Sequence, residues 1–147
     1  MRTAGELLAA YDAGHRHPLN KRLHRVCVPL ILFSLLALLW GVAVPPLNAA
    51  QAVVLMALVY YFVLSPRLAA GMLVLMALLL GLLRVLDQAG LPLVWIAAAV
   101  FALAWVGQFI GHHLEGNRPS FFEDLQFLLI GPLWLLAAAY RRLGIAY

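Results

Sequence analysis

The stretch from His15 to Val44, HRHPLNKRLHRVCVPLILFSLLALLWGVAV, decides how this chain is built. Its first ten residues hold three of the five histidines among basic residues and a proline, and from Val26 onward the sequence is apolar for 19 residues. At 1.5 Å per residue such a helix is about 28 Å long, which matches a bilayer hydrocarbon core of about 30 Å. The other two histidines, His112 and His113, follow the last of three further apolar runs, with no histidine between the two groups. The expectation is a chain that crosses the membrane repeatedly, brings both groups to one face and holds a metal there.

Composition supports this. A chain of 147 residues that is 65% hydrophobic and 11% charged, with a mean hydropathy of +0.96, is not built as a water-soluble domain. It reads as one integral membrane domain, residues 1–147, and residues 1–25 are too polar for a secretory leader, so no cleavage is expected. The net charge of +4 is spread between apolar segments rather than gathered in a stripe with aromatics, so anionic lipid headgroups are its expected partner and nucleic acid is not. Cys27 is the single cysteine; it forms no intrachain disulfide and reads as a small packing residue.

Around the opening stretch the elements follow in order. Thr3 to Glu6 has capping-box spacing, and Leu7, Leu8 and Tyr11 share one face, predicting a short amphipathic helix on the membrane surface. Gly14 ends it and Pro18 suits the first turn of the next helix. Residues 1–25 form an interfacial segment and Val26–Val44 the first span; Pro45-Pro46-Leu47-Asn48 is a turn. Ala49–Leu64 is a shorter second span, Leu68–Leu86 a third and Leu93–Gly111 a fourth, separated by Ser65-Pro66-Arg67 and Gly90-Leu91-Pro92. A polar segment, 112–119, carries the second histidine group. Ser120 to Glu123 is another capping box, and a fifth, C-terminal helix runs to about Ala139, interrupted at Gly131-Pro132. The fold class is therefore all-α, a polytopic bundle of four transmembrane helices with a kinked last helix that is re-entrant or spanning.

A cytoplasmic N-terminus puts Arg2, Arg16, Lys21, Arg22, Arg25, Arg67 and Arg118 inside and Arg84 outside, as the positive-inside rule prefers. Both histidine groups then face the cytoplasm. A fifth complete crossing would place Arg141 and Arg142 outside, which favours a last helix that is re-entrant or interfacial. An Ala/Leu-rich chain of this kind fits a bacterial plasma membrane.

The chemistry-bearing residues cluster around the histidines. Asn20 lies four residues before His24 and Gln108 four before His112, so each amide is placed to orient an imidazole. Gly107 and Gly111 are a small-xxx-small pair that lets another helix approach closely. If the fourth helix persists one more turn, His112 and Glu115 share a face while His113 points about 100° away. Imidazole and carboxylate around open positions suit a non-haem Fe(II) oxygenase, and zinc accepts the same residue types. His17 and His113 read as solvated or supporting groups. Glu123 and Asp124 are explained by helix capping. Hydrolase and kinase chemistry lack their motifs.

Two blocks carry a resemblance over nearly the whole chain: Tyr11-x3-His15-x4-Asn20-x3-His24-x4-Pro29, and Trp105-x2-Gln108-Phe-Ile-Gly-His112-x2-Glu115-Gly116-x2-Pro119 followed by Asp124-Leu-Gln-Phe-Leu-Leu-Ile-Gly-Pro132. The sequence resembles the yeast 2-hydroxy fatty acid dioxygenase family. His112 to Glu115 is three steps, where the yeast-type pattern has four, as in a bacterial branch of that family. The resemblance implies an Fe(II)-dependent membrane enzyme that uses O2 to shorten a 2-hydroxy fatty acid by one carbon, a step of fatty acid α-oxidation. It places His15, His24 and His112 on the family's histidines, with Glu115 or His113 completing or supporting the shell. The rival classes are a haem-binding or electron-transfer protein and a helical scaffold or transport subunit without metal.

Overall fold

The computed structural model describes residues 2–116 and 121–147, with the side chains of all of these but 121–127. In chain order the elements are α1 (Ala4–Ala13), α2 (Pro18–Trp40), a hairpin of β1 (Ala43–Val44) and β2 (Leu47–Asn48), α3 (Ala49–Leu64), α4 (Pro66–Gln88), α5 (Leu93–Glu115) and α6 (Phe121–Arg142). The protein is all-α apart from the two-residue hairpin strands. The capping box expected at Ser120 to Glu123, together with Arg118, Pro119 and Asp124, lies outside the described residues and side chains.

Local sequence fixes most helix ends. Thr3 and Glu6 form the expected capping box, with Glu6 N–H donating to Thr3 Oγ1 at 3.3 Å and Thr3 N–H to Glu6 Oε2 at 2.8 Å. The ring of His17 caps α2 by accepting from Leu19 N–H at 3.3 Å, and Pro18 occupies the first turn. That start carries α2 through Pro29 as one helix, so His24 sits on the long apolar helix itself rather than on a separate piece. At the far end Gly41 stops it at Trp40, short of Val44, because the residues flanking Pro45-Pro46 pair as a hairpin, Ala43 with Asn48 and Val44 with Leu47. Asn48 and Gln51 make a second capping box at the start of α3. Ser65 accepts from Leu68 N–H at 3.4 Å and so starts α4 directly after α3.

Three helices, α2, α4 and α5, are long and apolar enough to cross a membrane, and α3 is a shorter apolar helix of 16 residues. Large apolar side chains such as Leu73, Val74, Leu78, Leu103 and Val106 are exposed on them, a surface that suits lipid and not water.

Two expectations change in the packing. The apolar face of α1 does not wait for a lipid surface: Leu7, Leu8 and Tyr11 are buried in the core with Ile130, Leu133 and Trp134 of α6. Helix α6 runs unbroken through Gly131-Pro132, where an interruption was expected. Gly131 serves contact rather than bending, since a Cβ there would press on the Tyr11 hydroxyl at 3.2 Å and on Val28 at 3.3 Å.

The other contacts of α6 fall at one end of the bundle. Tyr61, near the end of α3, donates its hydroxyl to the Leu129 carbonyl at 2.7 Å. Tyr140 and Leu136 pack over Gly71, near the start of α4, where even a Cβ would collide with them. Arg141 and Arg142 line the same cleft as Lys21 and Arg25 of α2. Because Tyr61 is 1% exposed, Tyr61→Phe is expected to destabilise the protein by about 1 kcal/mol. Its midpoint of thermal unfolding in detergent should fall, and an equal midpoint would show that the bond adds nothing.

Candidate metal centre

The site grows out of the closest helix pair, α2 against α5. At Gly107 a Cβ would stand 2.6 Å from Cys27 Sγ, and at Gly111 it would overlap Asn20 Oδ1. The small-xxx-small pair therefore does what its spacing predicts, and the thiol of Cys27 is a buried packing group between the two helices. Close approach at Gly111 sets the next residue, His112, beside the first turns of α2.

Three imidazoles meet there. His15 comes from the turn between α1 and α2, His24 from α2 and His112 from α5, and one ligand nitrogen from each lies within 4.8 Å of the others. His15 and His24 are buried and His112 half-buried. The His24 and His112 ring centres are 5.2 Å apart, and those of His15 and His112 5.9 Å. Tyr11 stacks on His15 at 4.3 Å, and Trp134 flanks the same ring at 6.4 Å.

The same local device orients two of the rings. His15 Nδ1 lies 2.6 Å from the Tyr11 carbonyl and His24 Nδ1 3.1 Å from the Asn20 carbonyl, each four residues back along the chain. A carbonyl only accepts, so each Nδ1 must carry a proton and donate. In the neutral rings both Nε2 atoms are then lone-pair donors to a ligand, yet they face each other at 2.9 Å. Two facing lone pairs repel unless a cation lies against both. An extra proton would serve, but burial holds His15 below its ordinary imidazole pKa, with the Tyr11 carbonyl acting in the opposite direction. The separation suits a shared metal ion: bonds of about 2.1 Å meeting near a right angle put two nitrogens roughly 3 Å apart.

Helix α5 does persist to Glu115, so His112 and Glu115 share a face. Glu115 stands apart from the three-imidazole group and ties the elements together: its Oε1 accepts from His17 N–H at 2.6 Å and from Asn20 Nδ2 at 3.0 Å. It thereby fastens the end of α5 to the turn that carries His15. Glu115→Ala should weaken metal binding about 10–100-fold, the range for groups that hold ligands in place. A metal competition titration checks this, and unchanged affinity would remove Glu115 from the site.

The amide pairings expected from spacing are not formed. Asn20 turns its side chain across to Glu115, and it is the Asn20 main-chain carbonyl, nearer along the helix, that orients His24. Gln108 is buried, with its Oε1 unpartnered among the described residues, and makes no hydrogen bond to His112. His113 is exposed on the next face of α5, as 100° per residue dictates. Three contributors were not anticipated: the Tyr11 carbonyl, the Trp134 ring and the main-chain N–H of His17. The four-residue step from Tyr11 to His15, identical to that from Asn20 to His24, was the available signal for the first. Nothing local connects Trp134 to the histidines.

The fold and site define an all-α protein with an apolar bundle and a three-histidine cluster of metal-ligating spacing at one end. Residues 1–143 match the family described as 2-hydroxy-palmitic acid dioxygenase Mpo1-like, and the chain belongs to that family. It is 30% identical over 139 residues to the 2-hydroxy-palmitic acid dioxygenase MPO1 of Saccharomyces cerevisiae (strain ATCC 204508 / S288c), covering 93% of this chain and 79% of the relative. No solved structure matches.

Proposed function

We propose that this protein is an Fe(II)-dependent dioxygenase of the membrane that shortens 2-hydroxy fatty acids by one carbon with O2. The observation that carries the reading is the pair of buried imidazoles whose Nε2 atoms face each other at 2.9 Å, in a chain that belongs to a family of dioxygenases by description. His15, His24 and His112 are the metal ligands, and Glu115 supports the shell. Imidazole ligands suit Fe(II), which would supply redox chemistry with O2 that zinc cannot.

Bound iron would supply the positions at which the substrate's 2-hydroxyl and carboxylate and O2 meet. The protein supplies the rest. The Tyr11 and Asn20 carbonyls keep protons on both Nδ1 atoms, so the Nε2 lone pairs stay directed at the ion. Glu115 holds the His15 turn against α2, and the rings of Tyr11 and Trp134 shield His15 from solvent. The change R–CH(OH)–COOH + O2 → R–COOH + CO2 + H2O balances without a further reductant: the C1–C2 bond breaks, carbon supplies four electrons and O2 accepts them.

Helices α2 to α5 are the four spans in this reading. Helix α6 lies across the histidine end without crossing, a course supported by its contacts with Tyr61 and Gly71 and by the cleft that Arg141 and Arg142 share with Lys21 and Arg25. That end then gathers all the Lys and Arg side chains but Arg84 among the described residues, which supports a cytoplasmic site in a bacterial plasma membrane. Anaerobic loading with Fe(II), followed by O2 and 2-hydroxypalmitate, should yield the acid one carbon shorter; failure to form it would reject the reaction.

A further inference from the structure

We propose that the cleft between the start of α2 and the end of α6 is an outer holding site for the carboxylate head of a long-chain acid, which leaves it to reach the neighbouring histidine cluster, a role that rests on the function proposed above. The cleft has a volume of about 510 Å³, within the range of small-molecule sites. Its wall on α6 is apolar, formed by Trp134, Leu135, Ala138 and Ala139. The two alanines leave the depth, and the indole makes the side toward the cluster: Trp134 lies 5.6 Å from Tyr11 and 6.4 Å from His15, ring centre to ring centre. A head group held in the cleft is thus one indole away from the imidazoles.

The rim is cationic, with Lys21, Arg25, Arg141 and Arg142. Asp12 is the acid on this lining, and it is taken by Lys21 at 3.1 Å. Arg141 donates to the neutral Tyr147 hydroxyl at 2.6 Å, and none of the three arginines has a carboxylate partner among the described residues. A guanidinium fork matches a carboxylate with two parallel hydrogen bonds. The helix dipole accounts for cations at the end of α6, but it opposes Lys21, which stands at the first turn of α2. That turn has no acidic residue. An external anion with an apolar tail satisfies both the rim and the wall.

Lipid phosphate shares this charge, so the test separates the two. The intact protein in neutral phosphatidylcholine nanodiscs is titrated with palmitate, which has no 2-hydroxyl and needs no turnover, and with hexadecanol. Palmitate should bind, hexadecanol should bind at least about tenfold more weakly, and Arg25→Gln/Arg141→Gln/Arg142→Gln should weaken palmitate by at least about tenfold. Arg25→Gln alone, which changes one exposed side chain, should weaken it severalfold. Phosphatidylglycerol added to the discs should leave palmitate binding unchanged. Equal binding of hexadecanol, indifference to the arginine substitutions, or displacement of palmitate by phosphatidylglycerol would each overturn the proposal, the last by giving the cleft to the bilayer. Palmitate binding is read without iron or O2, so its failure leaves the dioxygenase reading standing, and absent turnover leaves the cleft standing.

Discussion

His24→Ala is expected to lose bound iron and to consume O2 with 2-hydroxypalmitate at the background rate, a fall of more than about a hundredfold, since losing even an outer supporting group costs 10–100-fold. The side chain is 2% exposed and stands between the other two imidazoles, with Nε2 at 2.9 Å from that of His15 and its ring 5.2 Å from that of His112. Its removal leaves two ligands from different elements and no shared edge. His112→Ala checks that the loss is not one of folding: His112 is only half-buried, so less packing goes with it, and the iron should be lost all the same. Helical circular dichroism and iron content measured on both variants give the answer. A His24→Ala protein that is folded and retains iron would place the metal elsewhere.

Gly111→Ala should have the second largest effect, although the residue bears no functional group. A Cβ at this position overlaps Asn20 Oδ1, so either the helices separate or the amide turns away from Glu115. Overpacking of this kind destabilises by about 1–3 kcal/mol, and here it also releases the bond by which Asn20 Nδ2 holds Glu115 at 3.0 Å. Iron affinity and thermal stability should therefore fall together. Gly81→Ala is the control, because a Cβ there meets nothing within 4 Å: iron affinity should not change, and stability should hold or rise, since Ala favours a helix interior over Gly by about 1 kcal/mol. Equal behaviour of the two variants would mean that the close approach of α2 and α5 does not build the site.

Much of this was legible in the residues because the governing periods are local. Apolar runs bounded by Pro, Gly and Ser locate the helices, Thr3 and Glu6 announce their cap, and Gly107 and Gly111 announce a close helix contact. The histidine blocks and their spacing carried the family resemblance. What escaped depends on distance along the chain or on competition between hydrogen-bond partners. Asn20 chooses Glu115 over His24 because the helix already offers His24 a nearer carbonyl. Helix α1 chooses the face of α6 because Ile130, Leu133 and Trp134 are there to receive Leu7, Leu8 and Tyr11. Neither outcome is written in a window of ten residues. The hairpin around Pro45-Pro46 looked like a simple turn because two-residue strands have no periodicity to read.

Elemental analysis of the purified protein after anaerobic Fe(II) loading and removal of free metal tests the shared ion most directly. About one iron per chain, bound without a Soret band and absent from His15→Ala, His24→Ala and His112→Ala alike, is the expected result. A protein equally stable with no metal at all, a Soret band from bound haem, or iron retained in all three variants would contradict it.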